Sequence, residues 1–236
     1  MPTAGTITTS MTTDDRLPLV RLMQLVSPSL PVGGFTYSQG IERAVEDGWI
    51  SGATDLQAWL GDQLHHVIAV FDLPILARLY KAVADDRPET LEIWIDELLA
   101  GRESAELRLE ESNRGRALAD LLGGLEVPEV DHWRKELARC QLAGFAFAAV
   151  RWRIPLTDAA LGYAWSWLEN LVLAAVKIIP LGQTDGQRIL QLLSRKLPAA
   201  VEHGLACTDA GIGASSPALA IASSRHETQY TRLFRS

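Results

Sequence analysis

Five histidines, two cysteines and one glycine-flanked turn are the residues from which this chain would have to build a reaction centre. Their spacing does not suit the task. His65 and His66 are neighbours, so on a helix they point about 100° apart and do not close on one ion. His132 and His203 stand alone, whereas metal sites want ligands at i,i+4 or a Cys/His cluster. Cys140 and Cys207 are far apart and form no CxxC, which excludes a disulfide framework and fits a reducing compartment. His226, set in a polar terminal segment, is a weak metal candidate; no other metal ligand and no catalytic residue is assigned. Gly182-Gln183-Thr184-Asp185-Gly186-Gln187 imitates a phosphate cradle but lacks the lysine, and reads as a plain helix start. The P-loop, GxSxG and HExxH patterns are absent. The chain is expected not to be an enzyme.

Two segments carry residues suited to binding rather than chemistry. Ser27-Pro28-Ser29-Leu30-Pro31-Val32-Gly33-Gly34-Phe35-Thr36-Tyr37-Ser38-Gln39-Gly40 cannot be a regular helix, because its prolines and paired glycines break one. It nonetheless holds Leu30, Val32, Phe35 and Tyr37, and a loop with that much apolar surface is packed down or covered by a partner. The second segment, 223–236, has no helical or strand period. Its Arg225, Tyr230, Arg232, Phe234 and Arg235 are of types enriched at binding hot spots. A frayed terminus is the plain reading; a tail that orders on a partner is the functional one.

The elements that must position these segments read as helices throughout. A short apolar helix spans Leu19 to Val26. Ser38 is placed to cap a second, running to Asp47 and ended by Gly48. Thr54 and Gln57 form a capping box before a stripe of Leu56, Trp59, Leu60, Leu64, Val67, Ile68 and Phe71. Asp72 and Pro74 predict a fresh start, and Pro88-Glu89 another. Residues 102–122 are a very polar helix with a thin apolar seam and a favourable Glu110–Arg114 pair. Asp131 is expected to cap one helix reaching Ala148, and Thr157 or Asp158 the next, stopped by Pro180. Thr184 and Gln187 suggest a second capping box, and Pro198 a break. Convincing strand alternation is absent. The fold class is all-α, a single compact domain of about eight to ten helices. Residues 1–16 are an N-terminal arm disordered by composition, 17–206 the helical domain, and 207–236 a linker and C-terminal tail.

Composition agrees. Of 236 residues, 47% are hydrophobic, enough for a sizeable core, and 22% are charged. The net charge of −7 sits mainly in the first hundred residues, which disfavours nucleic acid and anionic membranes as partners. No apolar run reaches the length of a bilayer span and the N-terminus lacks a signal-peptide core, so a cytoplasmic location is expected.

Three blocks resemble one family. The first is the segment from Ser27 through Gly40, continued by Ile41 and Glu42. The second is Asn170-Leu171-Val172-Leu173-Ala174-Ala175-Val176-Lys177-Ile178-Ile179-Pro180-Leu181-Gly182-Gln183-Thr184-Asp185-Gly186-Gln187-Arg188. The third is His226-Glu227-Thr228-Gln229-Tyr230-Thr231-Arg232-Leu233-Phe234-Arg235-Ser236. In type and order they are similar to the signatures of the urease accessory protein UreF family, over about residues 17–236. The resemblance implies an all-α homodimer that binds UreD (UreH), recruits the GTPase UreG and docks on apo-urease for nickel insertion. It also implies that nickel and GTP are handled by partners, with no cofactor bound directly. Partner-binding residues so implied, together with those read from the two segments, are Phe35, Tyr37, Ser38, Glu42, Lys177, Arg188, Arg225, His226, Tyr230, Arg232, Phe234 and Arg235. A second reading is direct regulation of the UreG GTPase, with Arg188 or Arg235 as arginine fingers. Removing residues 226–236 is expected to spare helicity and melting.

Overall fold

The order of apolar and polar residues writes a succession of helices, and the computed structural model, which describes residues 16–236, contains them. The expected arm, 1–16, lies outside the described residues except for Arg16. The helices are α1 (Leu17–Leu25), α2 (Ile41–Glu46), α3 (Ala53–Gln63), α4 (Leu73–Ala84), α5 (Pro88–Ala100) and α6 (Ala105–Gly124). They continue as α7 (Val130–Leu137), α8 (Gln141–Arg151), α9 (Leu156–Ile178), α10 (Gln183–Ser194), α11 (Leu197–Ala206) and α12 (Pro217–His226). Short 3-10 turns lie at Gly34–Thr36 and Asp209–Gly211. No β-strand occurs among the described residues, and no helix there is long and apolar enough to cross a membrane.

The core is organised around α8. Its sequence, Gln141 to Ala149, is buried along its whole length, as a helix apolar all round must be. It lies against α4 on one side and α6 on the other, with α9 passing nearby and contacting α10 and α11. Trp133 of α7 is inaccessible and stacks at a tilt on Phe147. Burying each such aromatic or Leu side chain is worth about 1.5–3 kcal/mol.

Three expectations are corrected. The restart at Asp72 and Pro74 does not occur: α3 and α4 are joined without a break by a π-helical run, Leu64–Asp72. A proline inside an α-helix removes an N–H and clashes with the carbonyl four residues back, here Val70. The wider π register absorbs that clash. Asp72 is therefore mid-helix and buried, not a cap. The helix expected from Asp131 to Ala148 is two, because the chain turns at Ala138–Cys140. The polar, one-sided α7 and the wholly apolar α8 need different surroundings. Gly115 of α6 sits so close to this turn that a Cβ there would lie 2.7 Å from the Cys140 amide nitrogen. The caps read at Thr54, Asp131, Asp158 and Thr184 also fail to form. The side-chain cap that does form is Ser104, whose Oγ accepts from the Leu107 N–H at 3.1 Å.

The third correction concerns 207–236, read as linker and patternless tail. The Gly213 N–H donates to the Val70 carbonyl and the Ser215 N–H to the His66 carbonyl, both at 3.1 Å. The carbonyl that Pro74 cannot serve is thus taken by the supposed linker. Residues 217–226 then form α12, which packs on α2 and α6. Periodicity missed it because α12 is short and its buried residues include Ser223 and His226.

Candidate functional site

The two segments singled out in sequence meet in space. After α12 the chain crosses α2 and runs along the Pro/Gly loop. The Arg235 N–H donates to the Thr36 carbonyl at 2.8 Å, and the Ser38 N–H donates to the Ser236 carbonyl at 2.8 Å. Ser38 Oγ donates to the same oxygen at 2.5 Å. Ser38 is inaccessible; Tyr37 is buried beside it. The approach of α12 to α2 depends on Gly40, whose φ of +79° is left-handed and whose Cβ would lie 3.2 Å from that of Ala222.

Glu42 is the pivot. It sits in the first turn of α2 and is buried. Its Oε1 accepts the Leu233 N–H at 2.6 Å and its Oε2 the Phe234 N–H at 2.9 Å. The tail thereby satisfies two backbone donors on one carboxylate, in the charge-assisted form. His226, with no exposed side-chain surface, lies between Glu42 Oε2, 3.2 Å from Nε2, and Glu106 Oε2, 2.6 Å from Nδ1. Arg232 reaches Glu106 Oε1 at 2.7 Å. Both His226 nitrogens are therefore spent on carboxylates, leaving none to face a metal. Among the described residues no group of three or more His, Cys, Asp or Glu could hold a metal ion.

Around this pivot the other candidates divide. Phe234 is buried, while Phe35 is 61% exposed and Tyr230 fully so. Lys177 Nζ lies 5.9 Å from the Phe35 ring centre and 5.7 Å from that of Phe234, a cation held over two rings. Arg225 pairs with Asp47 at 3.0 Å on the outside of the α2–α12 contact. The Arg43 side chain presses that carboxylate's pKa downward through its hydrogen bond, with Arg225 assisting against burial. The Arg235 side chain is exposed. Arg188 is not joined to this assembly: it lies on α10, exposed, paired with Asp185 at 2.9 Å.

Sequence reasoning missed the acidic side of the site. Glu110, almost fully buried, accepts from Arg114 at 2.7 Å, Gln39 at 3.0 Å and the Ser236 hydroxyl at 3.2 Å. Trp167 Nε1 in turn donates to Gln39 Oε1 at 3.2 Å. Glu106, Glu110 and Arg114 stand at i, i+4 and i+8 on α6, so one stripe of that polar helix faces the tail. The Glu110–Arg114 pair was visible in sequence. That it faced protein instead of water was not. Against the expectation that removing 226–236 would spare melting, the segment includes the buried His226 and Phe234, so a lowered melting temperature becomes the expected outcome.

A second buried ion cluster lies deeper. Arg102 donates to both oxygens of Asp72, at 2.9 and 3.0 Å, and to Glu111 Oε1 at 2.7 and 3.2 Å. Tyr163 donates to Asp72 at 2.8 Å, and the Gln141 N–H to Glu111 at 3.2 Å. Burial opposes the charge on Arg102, but Asp72 and Glu111 outweigh it and hold its pKa well above the usual value. Burial, then the nearby carboxylates, pushes the Tyr163 phenol and the Cys140 thiol up. The cluster joins the π-helical run, α6, α8 and α9. It is a brace, with its hydrogen-bonding capacity turned inward.

Fold and site together define an all-helical protein whose C-terminus straps back over its own N-terminal loop. Comparison with known proteins places that architecture. The UreF family model matches residues 50–194. A urease accessory protein UreF from Pseudomonas entomophila (strain L48) is 52% identical over 96% of this chain and 100% of its own length. One from Alcanivorax borkumensis is 55% identical over 92% of this chain and 97% of its own. One from Citrobacter koseri is 49% identical over 92% and 97%. The chain belongs to the UreF family of urease accessory proteins. Its role is accordingly in urease maturation.

Proposed function

We propose that the chain is a scaffold, not a catalyst. It binds UreD (UreH) through the strap and loop, recruits the GTPase UreG, and so brings both to apo-urease as a homodimer in the cytoplasm. Nickel and GTP are held by the partners. The observation that supports this reading most is the composite surface made when the tail docks. The exposed Phe35, Tyr230 and Leu233 stand beside the charged Arg225, Arg232 and Arg235, the mixture of aromatic and arginine anchors typical of hot spots. Beneath it, ion pairs and backbone hydrogen bonds hold the surface in shape before any partner arrives, which lowers the ordering cost of binding.

Exposed anchors make the cleanest test. Tyr230→Ala should leave melting unchanged and Phe35→Ala should cost no more than about 0.5–1 kcal/mol through its contact with Lys177, while each weakens capture of purified UreD at least about tenfold, the loss of a hot-spot residue. Undiminished capture by the double variant would overturn the docking assignment. Addition of the wild-type chain should not raise GTP hydrolysis by isolated UreG; a rise would favour the direct regulator instead, with the exposed Arg235 the residue to replace.

A further inference from the structure

A cavity of about 500 Å³ opens between α4 and α5, with Leu156 of α9 and Asp209 also on its wall. It shares no lining residue with the strap or the Pro/Gly loop. The clefts beside that loop and the brace hold about 40 Å³ or less. Small side chains leave the space, Ala77 and Ala82 from α4 and Thr90 from α5. Its volume falls in the range of binding sites.

Cations collect there against the trend of the sequence. Residues 1–100 hold six basic side chains against fourteen acidic ones, and three of the six, Arg78, Lys81 and Arg87, line this one cavity. Arg78 is spent on structure. It donates to Asp209 at 3.0 and 2.8 Å and to the Cys207 carbonyl at 2.5 Å, and its guanidinium lies 5.9 Å from the centre of the Trp94 ring. Its charge is cancelled and the indole is held in place. Lys81 and Arg87 are exposed and, among the described residues, have no ion-pair partner. Asp85, also exposed and unpaired, is the one further charge on the wall. Two positive charges thus stand against one negative.

The turn between the helices places Arg87. Asp86 is left-handed, with φ of +53°, a conformation that a non-glycine residue adopts at a cost of about 1 kcal/mol. The Asp86 N–H donates to the Val83 carbonyl at 3.2 Å and the Arg87 N–H to the Ala82 carbonyl at 2.9 Å. Arg87 is so brought back beside Ala82, on the cavity wall.

We propose that this groove is a second docking site, which takes a short acidic segment of a partner protein: an apolar side chain against Trp94 and Leu156, carboxylates at Lys81 and Arg87. An apolar floor with a charged rim is the anatomy of a protein interface, and Trp and Arg are the types that anchor one. A long polyanion such as nucleic acid would also meet Asp85, Asp86 and Glu89, all exposed on the same turn, and be repelled by them. A bare phosphate would leave the apolar floor empty.

Titration of the full chain, followed by amide and indole N–H resonances, tests this. The probe is a capped hexapeptide of four glutamates around Leu-Phe. It should shift the Trp94 indole and the Arg87 and Thr90 amides saturably, and bind more weakly as salt rises from about 50 to about 300 mM. Lys81→Glu with Arg87→Glu should weaken binding at least about tenfold, because like charges then face each other, while the resonances of α8 stay in place. The same peptide with lysines for glutamates should not bind. The proposal is overturned by absent shifts, by equal binding of the lysine peptide, or by unchanged affinity in the double variant. Inorganic phosphate shifting the same resonances as tightly as the peptide also overturns it, since the groove would then be a small-anion pocket.

Discussion

The molecule contains two buried ion networks of similar composition and different place in the fold. In the deep brace, Arg102 sits between Asp72 and Glu111; in the strap, His226 sits between Glu42 and Glu106. Each joins elements far apart in sequence with one cation between two carboxylates. The brace uses a guanidinium, which stays charged at every pH a cell meets and fills a planar fork with fixed geometry. It is further tied by Tyr163 and the Gln141 amide. The strap uses an imidazole, and two of its bonds end on backbone N–H groups of a terminal segment. The same pattern of charges thus ties helices together in the core and ties a terminal segment to α2 and α6 at the surface.

The largest way to break this comparison is Arg102→Met. It leaves two carboxylates buried without their cation, and unfolding in urea should show a loss of about 3–5 kcal/mol. If stability hardly moves, the brace is not what holds α6, α8 and α9 to the π-helical run. Next comes Glu42→Gln, which removes one anion and one of two strong acceptors. A global loss of about 1–3 kcal/mol is expected, with tail amides losing protection far more than those of α8. Equal loss in both regions would make strap and core a single cooperative unit and erase the distinction. The smallest effect is at Lys177→Ala. Losing a cation over Phe35 and Phe234 should cost about 0.5–1 kcal/mol, seen as faster exchange at Phe234 with no change in the brace.

Much of the fold was legible because helices advertise themselves by period. The long α9, the Pro88 start of α5, the break before Pro198 and the stop at Gly48 all follow from apolar spacing, proline and glycine. What failed was local chemistry that tertiary contacts overruled. Pro74 reads as a helix start, yet the chain keeps its rod by shifting register and giving the Val70 carbonyl to Gly213. Thr54 reads as a cap, yet the Ser51 N–H donates instead to Asp55 at 3.0 Å. The site was half legible. Aromatic and arginine types in the loop and tail marked both segments, and the family blocks marked Glu42, Lys177 and His226. Glu106 and Glu110 gave no such sign, because a polar helix facing buried polar partners looks in sequence like one facing water. Arg188 carried a family signal but stands outside the assembly.

The sequence by itself determined the all-helical class, most helix positions and the two segments set apart from plain structure, since these depend on residue type and on spacing within a few positions. Only the tertiary structure decided that those segments touch each other, that His226 is enclosed by two carboxylates, and that the tail is docked on its own chain. The physical reason is range. Period, proline and glycine act on neighbours a turn or two away, whereas Glu42 meets Leu233 across 191 residues, and such a contact exists only once every helix between them has been packed.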